Sequence, residues 1–282
     1  DRLNYIVENQ NMQMQHNLSD KIYVSTLKNR EGGQYLFNTM DSYVVYNDET
    51  FYAKNSPSSA RVNTTKLGYY YYSVYLRDLS FDSYIPLHLE KAYHTYSDKM
   101  HQQFRVIASE DNEYITEFGY ETKIKRDTIS SLEVVADGET LTELTGNMTF
   151  ENPEYIALDI KEAGVIGFIF AGQDTKLSIQ ANDSFIVIKQ YTQLDGVANE
   201  QEVTFSNRLY TDETHDFEGI RVANKEEQNP LTSANITVDE SVDNAQFVGY
   251  NHLTGAYDFE LDGTDFGTAY FHNPQKKFFE HI

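Results

Sequence analysis

The side chains that could do chemistry are concentrated in one eighteen-residue segment, HLEKAYHTYSDKMHQQFR, which spans residues 88–105. It holds three histidines, two tyrosines, two lysines and an arginine. Imidazoles exchange protons near neutral pH, positioned phenols act as acids or bases, and a guanidinium neutralises a carboxylate. The segment is therefore a candidate for proton-transfer chemistry, provided that these groups emerge side by side.

The spacing of the segment predicts a β-hairpin in which Ser97 and Asp98 form a two-residue turn. Because side chains alternate between the two faces of a strand, such a turn fixes which residues lie opposite one another. One face would carry the pairs Tyr96–Lys99, His94–His101, Ala92–Gln103 and Glu90–Arg105, with His88 beyond them. The other face would carry Leu87, Leu89, Tyr93, Met100, Phe104 and Val106. The first face is then mainly polar, and the second belongs in a core.

Cleavage of a uronic-acid polysaccharide by β-elimination would use such a polar face. His94 or His101 would take the C5 proton, and Tyr96 would protonate the leaving oxygen. Arg105 or Gln103 would neutralise the C6 carboxylate. The residues expected to bind the substrate are His88 and Gln103, together with Tyr70 and Tyr72 from the tyrosine-rich run at residues 66–81.

Two plainer interpretations of the same face stay open. Antiparallel sheets often bury one face and leave the other in water, in which case Glu90 and Arg105 are an ordinary cross-strand pair. His88, His94 and His101 could instead form a metal-binding trio. Neither interpretation needs a substrate.

Composition limits the classes of function. The chain has 282 residues and a formal net charge of −22, which opposes binding to nucleic acid or to an anionic membrane surface. It has no cysteine, so disulfides and thiol chemistry are excluded. The longest apolar run, GVIGFIF at residues 164–170, is too short to cross a bilayer and is typical of a buried strand. An acidic chain of this kind fits a secreted or cell-surface protein.

Short alternating runs rich in Val, Ile, Tyr and Phe predict an all-β fold, a large antiparallel β-sandwich of the supersandwich or jelly-roll kind. Asp137-Gly138 is a strong two-residue hairpin signal. One short helix is expected over residues 214–230, with Thr214 as its N-cap and with Phe217, Ile220 and Ala223 on its buried side. Residues 1–20 are expected to form a polar N-terminal arm, and residues 21–282 the sandwich, with a break between two subdomains near 145–153.

Acidic clusters also suggest structural calcium, which prefers several oxygen ligands from a flexible loop. The best candidates are Glu260, Asp262 and Asp265 in the run ELDGTD. The cluster does not match an EF-hand. In a chain with 44 acidic residues, such clusters also arise without a metal.

The runs YHTYSDKMHQQFRVIAS and EYITEFGYETKIKRD resemble strand pairs of the β-supersandwich domains of polysaccharide lyases, of the hyaluronate lyase and heparinase II/III kind. The resemblance covers about residues 60–200. It implies a secreted β-sandwich that binds an acidic, uronate-containing polysaccharide, alone or as part of a lyase. Those enzymes add an α/α toroid, for which this chain has no helical region.

Two alternatives to a lyase come from other classes. One is a non-catalytic adhesion, structural or assembly protein, in which tyrosines form interfaces, the chain self-associates and further domains can be present. The other is a stand-alone carbohydrate-binding module. Release of unsaturated sugar ends, binding without product, and multimer formation would distinguish the three.

Overall fold

A computed structural model describes most of the chain between residues 3 and 270. The described residues are 3–8, 12–18, 23–29, 33, 35–56, 61–65, 69–78, 83–95, 99–170, 172–228, 245–251, 256–261 and 264–270. Strands dominate, and every strand pairing within these ranges is antiparallel. The all-β, antiparallel prediction is therefore confirmed.

The strands of the first half of the chain are β1 Leu3–Glu8, β2 Met12–Leu18, β3 Tyr23–Asn29, β4 Tyr35–Tyr46, β5 Glu49–Tyr52, β6 Arg61–Thr65, β7 Tyr69–Asp78, β8 Ser83–Thr95, β9 Lys99–Ala108, β10 Ile115–Lys125, β11 Ile129–Ala136 and β12 Glu139–Leu141. Those of the second half are β13 Asn147–Phe150, β14 Pro153–Ile160, β15 Gly164–Ile169, β16 Lys176–Ala181, β17 Phe185–Gln193, β18 Glu202–Asp212, β19 Ala245–Asn251, β20 Ala256–Leu261 and β21 Thr264–Tyr270. The helix α1 is Glu218–Gln228. Short 3-10 turns lie at Ala53–Asn55 and Arg126–Thr128.

Two nine-stranded sheets form the sandwich. The first sheet runs β1-β2-β3-β4-β10-β17-β16-β13, with β5 paired to β4. The second sheet runs β12-β11-β14-β15-β18-β9-β8-β7-β6. A separate sheet is formed by β19, β20 and β21. Many neighbours in the two large sheets are distant in sequence, so their order depends on tertiary packing.

Aromatic rings fill the space between the two large sheets. Phe104 stacks on Tyr120 with ring centroids 4.2 Å apart, and Phe205 lies 5.3 Å from Phe104 and 5.0 Å from Phe118. All four rings are buried. Offset and edge-on aromatic pairs add stabilisation beyond the area that they bury.

A buried chain of hydrogen bonds also joins the two sheets. Tyr120 of the first sheet donates to Gln102 of the second, whose amide donates to Asn207, each over 3.0 Å. Asn207 donates over 2.9 Å to Gln190, which returns the chain to the first sheet. Because a buried polar group that loses its partner is costly, this chain favours one registration of the sheets.

A buried ion pair makes a second polar connection. Nζ of Lys91, on β8, lies 2.8 Å from Oδ1 of Asp41, on β4. Both side chains are buried. The other oxygen of Asp41 accepts the backbone N–H of Lys54, and the ammonium lies 5.2 Å from the ring centre of Tyr72. These additional contacts help to offset the cost of removing both charges from water.

The helix packs on the outer face of the second sheet, against β14, β15 and β18. Ile220 and Ala223 are buried there and Phe217 is partly buried, as the sequence predicted. Gly167 permits this close approach, since a Cβ at that position would lie 2.3 Å from Cδ1 of Ile220 and 2.4 Å from the carbonyl oxygen of Ile156. Oε1 and Oε2 of Glu133 accept two bonds from the guanidinium of Arg221, which fixes the helix laterally.

The predicted N-cap at Thr214 is wrong. The helix begins at Glu218, four residues later, and the backbone N–H of Glu218 is bonded by the Asp216 side chain. Thr214 is held elsewhere: its carbonyl accepts the N–H of Val165, and its N–H donates to Asp212. Strand pairing with β15 thus extends beyond β18 and delays the helix.

The predicted division into an N-terminal arm and a sandwich stays a prediction, but the structure gives the secondary structure of part of the predicted arm. Residues 3–8 and 12–18, placed in a polar arm by the sequence, form β1 and β2 of the first sheet. Their alternation is masked by Asn and Gln, which gave no strand signal. Near residues 145–153 the chain passes from the second sheet to β13 of the first sheet and back to β14. Among the described helical residues, none form a helix of the length and hydropathy that crossing a membrane requires.

Candidate functional site

The hairpin register predicted for residues 88–105 is confirmed. In the β8–β9 ladder, His94 lies opposite His101, Ala92 opposite Gln103, and Glu90 opposite Arg105. The predicted core-facing residues Leu87, Leu89, Tyr93, Met100, Phe104 and Val106 are all buried in the main hydrophobic cluster. Tyr96 and the turn at Ser97-Asp98 lie outside the described residues. The hairpin therefore presents five of the predicted site residues on one side: His88, His94, His101, Gln103 and Arg105.

The ladders to β7 and β18 extend this side of the sheet. Tyr75 lies opposite His88, and Tyr71 lies opposite Ala92. On the other flank, Arg208 lies opposite His101 and Ser206 opposite Gln103. We call the resulting surface the polar face, which consists of Tyr71, Tyr75, His88, Glu90, His94, Lys99, His101, Gln103, Arg105, Ser206 and Arg208.

Glu90 is the centre of the polar face. Its carboxylate is paired with the guanidinium of Arg105 and accepts a 2.7 Å hydrogen bond from the hydroxyl of Tyr71. Nδ1 of His88 lies 3.6 Å away. Burial, and next the bond to Glu90, raise the pKa of Tyr71 to about 12, so its phenol stays protonated. With these partners, Glu90 positions its neighbours and is poorly placed to act as a base.

The flank of the polar face nearest the helix is closed. His101 is only 1 % exposed and Gln103 is also buried, although both lie on the outer side of the sheet. Nε of Arg208 lies 3.6 Å from Oε2 of Glu227 in the last turn of the helix, and both residues are buried. Burial raises the pKa of Glu227 to about 6, and the charge of Arg208 opposes that rise. A ligand could not reach His101 here without displacing its neighbours.

The opposite flank is open. The ring of Tyr75 stacks on that of His88 with centroids 4.5 Å apart, and Tyr75 is 47 % exposed. Next to this pair lie Glu90 and Arg105. Nη1 of Arg105 also donates a 3.0 Å hydrogen bond to Glu202. An exposed aromatic ring beside fixed hydrogen-bonding groups can hold a ligand that has one apolar and one polar side.

Of the two predicted substrate-binding tyrosines on β7, the structure describes the side chain of Tyr72 only. Tyr72 is fully buried on the core side of β7, where its hydroxyl lies 3.5 Å from the carbonyl of Ala53. It cannot contact a ligand on the polar face, because the strand alternation sends residues 71 and 72 to opposite sides. Tyr70 pairs with Tyr93 in the ladder, and its side chain is outside the described set.

Sequence reasoning missed Tyr71, Tyr75, Glu202, Arg208 and Glu227. Tyr71 and Tyr75 could have been found by extending the alternation of the hairpin to the preceding strand. Arg208 and Glu227 could not, because both come more than 100 residues after His101 in the sequence. Their place is set by sheet order and helix docking.

The calcium prediction falls at the edge of the described chain. Glu260 and Asp265 are paired positions in the β20–β21 ladder, and Asp262 lies outside the described residues. Within the described residues, no three His, Asp or Glu side chains are grouped to hold a metal ion. Calcium binding at Glu260, Asp262 and Asp265 stays a prediction.

The fold is similar to those of solved galactose mutarotase-like proteins. A candidate aldose 1-epimerase of Escherichia coli superposes with a TM-score of 0.52 at 8% identity, over 75% of this chain and 99% of the other. A galactose mutarotase-like protein of Lactobacillus casei gives 0.50 at 11% identity, over 74% and 100%. A galactose mutarotase related enzyme of Lactobacillus acidophilus gives 0.50 at 10% identity, over 76% and 99%. At such identities the likeness concerns the fold alone.

No protein-family model matches the sequence, and no curated protein matches it. The resemblance to the supersandwich domains of polysaccharide lyases is wrong, since the structural neighbours are mutarotase-like proteins. The error has a physical cause. Long antiparallel strands with one apolar and one polar face give the same alternation in any large sandwich, so the pattern could not separate the two families.

Proposed function

We propose that the protein binds a neutral sugar at the open flank of the polar face, over Tyr75 and His88. The observation that carries this proposal is the exposed Tyr75 ring, stacked on His88 next to the Glu90–Arg105 pair. A pyranose has an apolar face of C–H groups and a rim of hydroxyls. Tyr75 would contact the first, and the polar side chains would bond the second.

Charge balance supports a neutral ligand over the uronate predicted from the sequence. Each described cation of the polar face has an acidic neighbour: Arg105 has Glu90 and Glu202, Arg208 has Glu227, and Lys99 lies 3.5 Å from Glu226. These pairs leave little positive potential for a carboxylate substrate, and the net charge of −22 adds long-range repulsion.

The fold supports the same class of ligand by analogy. Structural neighbours are named as aldose epimerase and galactose mutarotase-like proteins. Interconversion of the anomers of a free aldose is accordingly the first reaction to assay, with the half-buried His94 as the candidate for proton transfer. Location outside the cell stays a prediction from composition.

The test is titration of the ¹⁵N-labelled protein with glucose and with galactose, followed by NMR. Binding should shift the amide signals of Tyr75, His88 and Glu90. Tyr75→Ala should weaken it about fivefold, because an aromatic contact contributes about 1 kcal/mol. Tyr114→Ala is the matched control, since Tyr114 is 61% exposed and lies before β10 of the other sheet.

Two outcomes would refute the proposal. One is the absence of shifts on the polar face with either sugar. The other is an equal loss of affinity in Tyr75→Ala and Tyr114→Ala, which would mean that the sugar does not contact the polar face. Anomer interconversion, followed by polarimetry, tells a binding protein from an enzyme.

A further inference from the structure

A second concave site lies at the far side of the second sheet, between the β11–β12 turn, the start of β14 and the end of the helix. This end cleft has a volume of about 450 Å³, within the range of small-molecule sites. The lining residues used below are Asp137, Asn152, Glu154, Phe170, Gln173 and Gln228. None of them belongs to the polar face.

Internal hydrogen bonds orient the polar groups of the end cleft. Asp137 accepts the backbone N–H groups of Glu151 and Asn152 and the side-chain amide of Asn152. These bonds, the side-chain one first, hold the pKa of Asp137 below its ordinary value, so the group is ionised. Oε2 of Glu154 accepts the side-chain amides of Asn224 and Gln228, over 3.0 and 2.6 Å. Both carboxylates are thus fixed before any ligand arrives.

The groups left for a ligand are mainly acceptors. In the described part of the chain, no group donates to Oε1 of Glu154. The side-chain oxygens of Asn152 and Gln228 are likewise available, because among the described residues only their amide nitrogens form hydrogen bonds. Gln173 uses its oxygen on the N–H of Ser206, which leaves its amide nitrogen as the donor of the set. A cleft lined mainly by hydrogen-bond acceptors favours a ligand that is rich in N–H and O–H donors.

The charge of the lining residues further limits the class of ligand that the end cleft can bind. Two carboxylates line the end cleft, and no Lys, Arg or His is found among its described lining residues. Anionic ligands are therefore disfavoured and a cation is favoured. Phe170 contributes an apolar part to the wall.

We propose that the end cleft binds a hydroxyl-rich ligand that carries a protonated amine, of the size of one hexosamine. The ammonium would pair with Glu154, and hydroxyls would bond Asn152, Gln173 and Gln228. The site is separate from the polar face, so it does not depend on the function proposed above.

The experiment compares glucosamine with glucose on the ¹⁵N-labelled full chain at about pH 6, where an amine of ordinary pKa is protonated. Glucosamine should shift the amide signals of Asn152, Gly172 and Gln228, and glucose should bind there at least about fivefold more weakly. Glu154→Gln should weaken glucosamine binding about fivefold or more. This variant keeps an oxygen that can accept from Asn224, so the fold is preserved.

Two controls separate the sites. Glu143→Gln removes the same charge from an exposed loop position outside the end cleft and should leave glucosamine binding unchanged. Tyr75→Ala should likewise leave it unchanged. Equal binding of glucose and glucosamine, equal binding by wild type and Glu154→Gln, or no shifts around the cleft would each overturn the proposal. Loss in Tyr75→Ala alone would place the amino sugar on the polar face.

Discussion

The buried carboxyl group of Glu227, at the closed flank of the polar face, should make the stability of the protein depend on pH. The residue is 2 % exposed, and burial raises the pKa of its carboxyl group from 4.5 to about 6. Between these two values the folded state binds more protons than the unfolded state, so stability falls as pH rises through this window and is gained as pH falls. At about 1.36 kcal/mol per pKa unit, the full effect is about 2 kcal/mol.

The measurement is a pair of urea unfolding curves, for wild type and Glu227→Gln, at several pH values. From about pH 7.5 to about pH 5, wild type should gain about 1.2 kcal/mol of unfolding free energy relative to the variant, rising to about 2 kcal/mol near pH 4. Subtracting the variant removes the titration of all other acidic groups. Arg208 stays charged throughout, because guanidinium does not titrate in this range.

Glu143→Gln provides the control, since it removes an exposed carboxylate from the loop between β12 and β13. Its curve should follow that of wild type with pH. The reasoning is refuted if the difference between wild type and Glu227→Gln does not change with pH, or if wild type loses stability relative to the variant on acidification. Either result would mean that burial does not raise the pKa of Glu227 in the folded protein.

Two further substitutions test how the sheets and helix are held. Lys91→Met should lower the free energy of unfolding by about 3–5 kcal/mol, because it leaves Asp41 charged and buried. The double variant Asp41→Leu/Lys91→Met should recover most of that loss. Urea unfolding measures both, and equal losses in the single and the double variant would contradict the prediction. Gly167→Ala should destabilise by about 1–3 kcal/mol, because the new methyl meets Ile220 and a backbone carbonyl. Gly138→Ala is the control: this position has open space around it but a left-handed φ of 78°, so the substitution should destabilise the protein only through backbone strain. If thermal unfolding shows that Gly167→Ala destabilises the protein no more than Gly138→Ala does, the close packing of the helix at Gly167 is contradicted.

Local sequence determined the features that depend on near neighbours. Alternation and a two-residue turn were enough to fix the β8–β9 register, and Asp137-Gly138 forms the predicted turn, with both residues at positive φ between Ala136 and Glu139. The all-β class followed from the same short-range signals. In each case the decisive residues lie within a few positions of one another.

Tertiary structure decided everything that joins distant segments. It placed Arg208 beside His101, brought Glu227 against Arg208, and added the Asn- and Gln-rich first strands to the first sheet. It also buried half of the polar face and assembled the end cleft from three separate loops and a helix end. The physical reason is that side-chain alternation tells which way a residue points, but which strand lies beside it depends on the free energy of the whole packed sandwich.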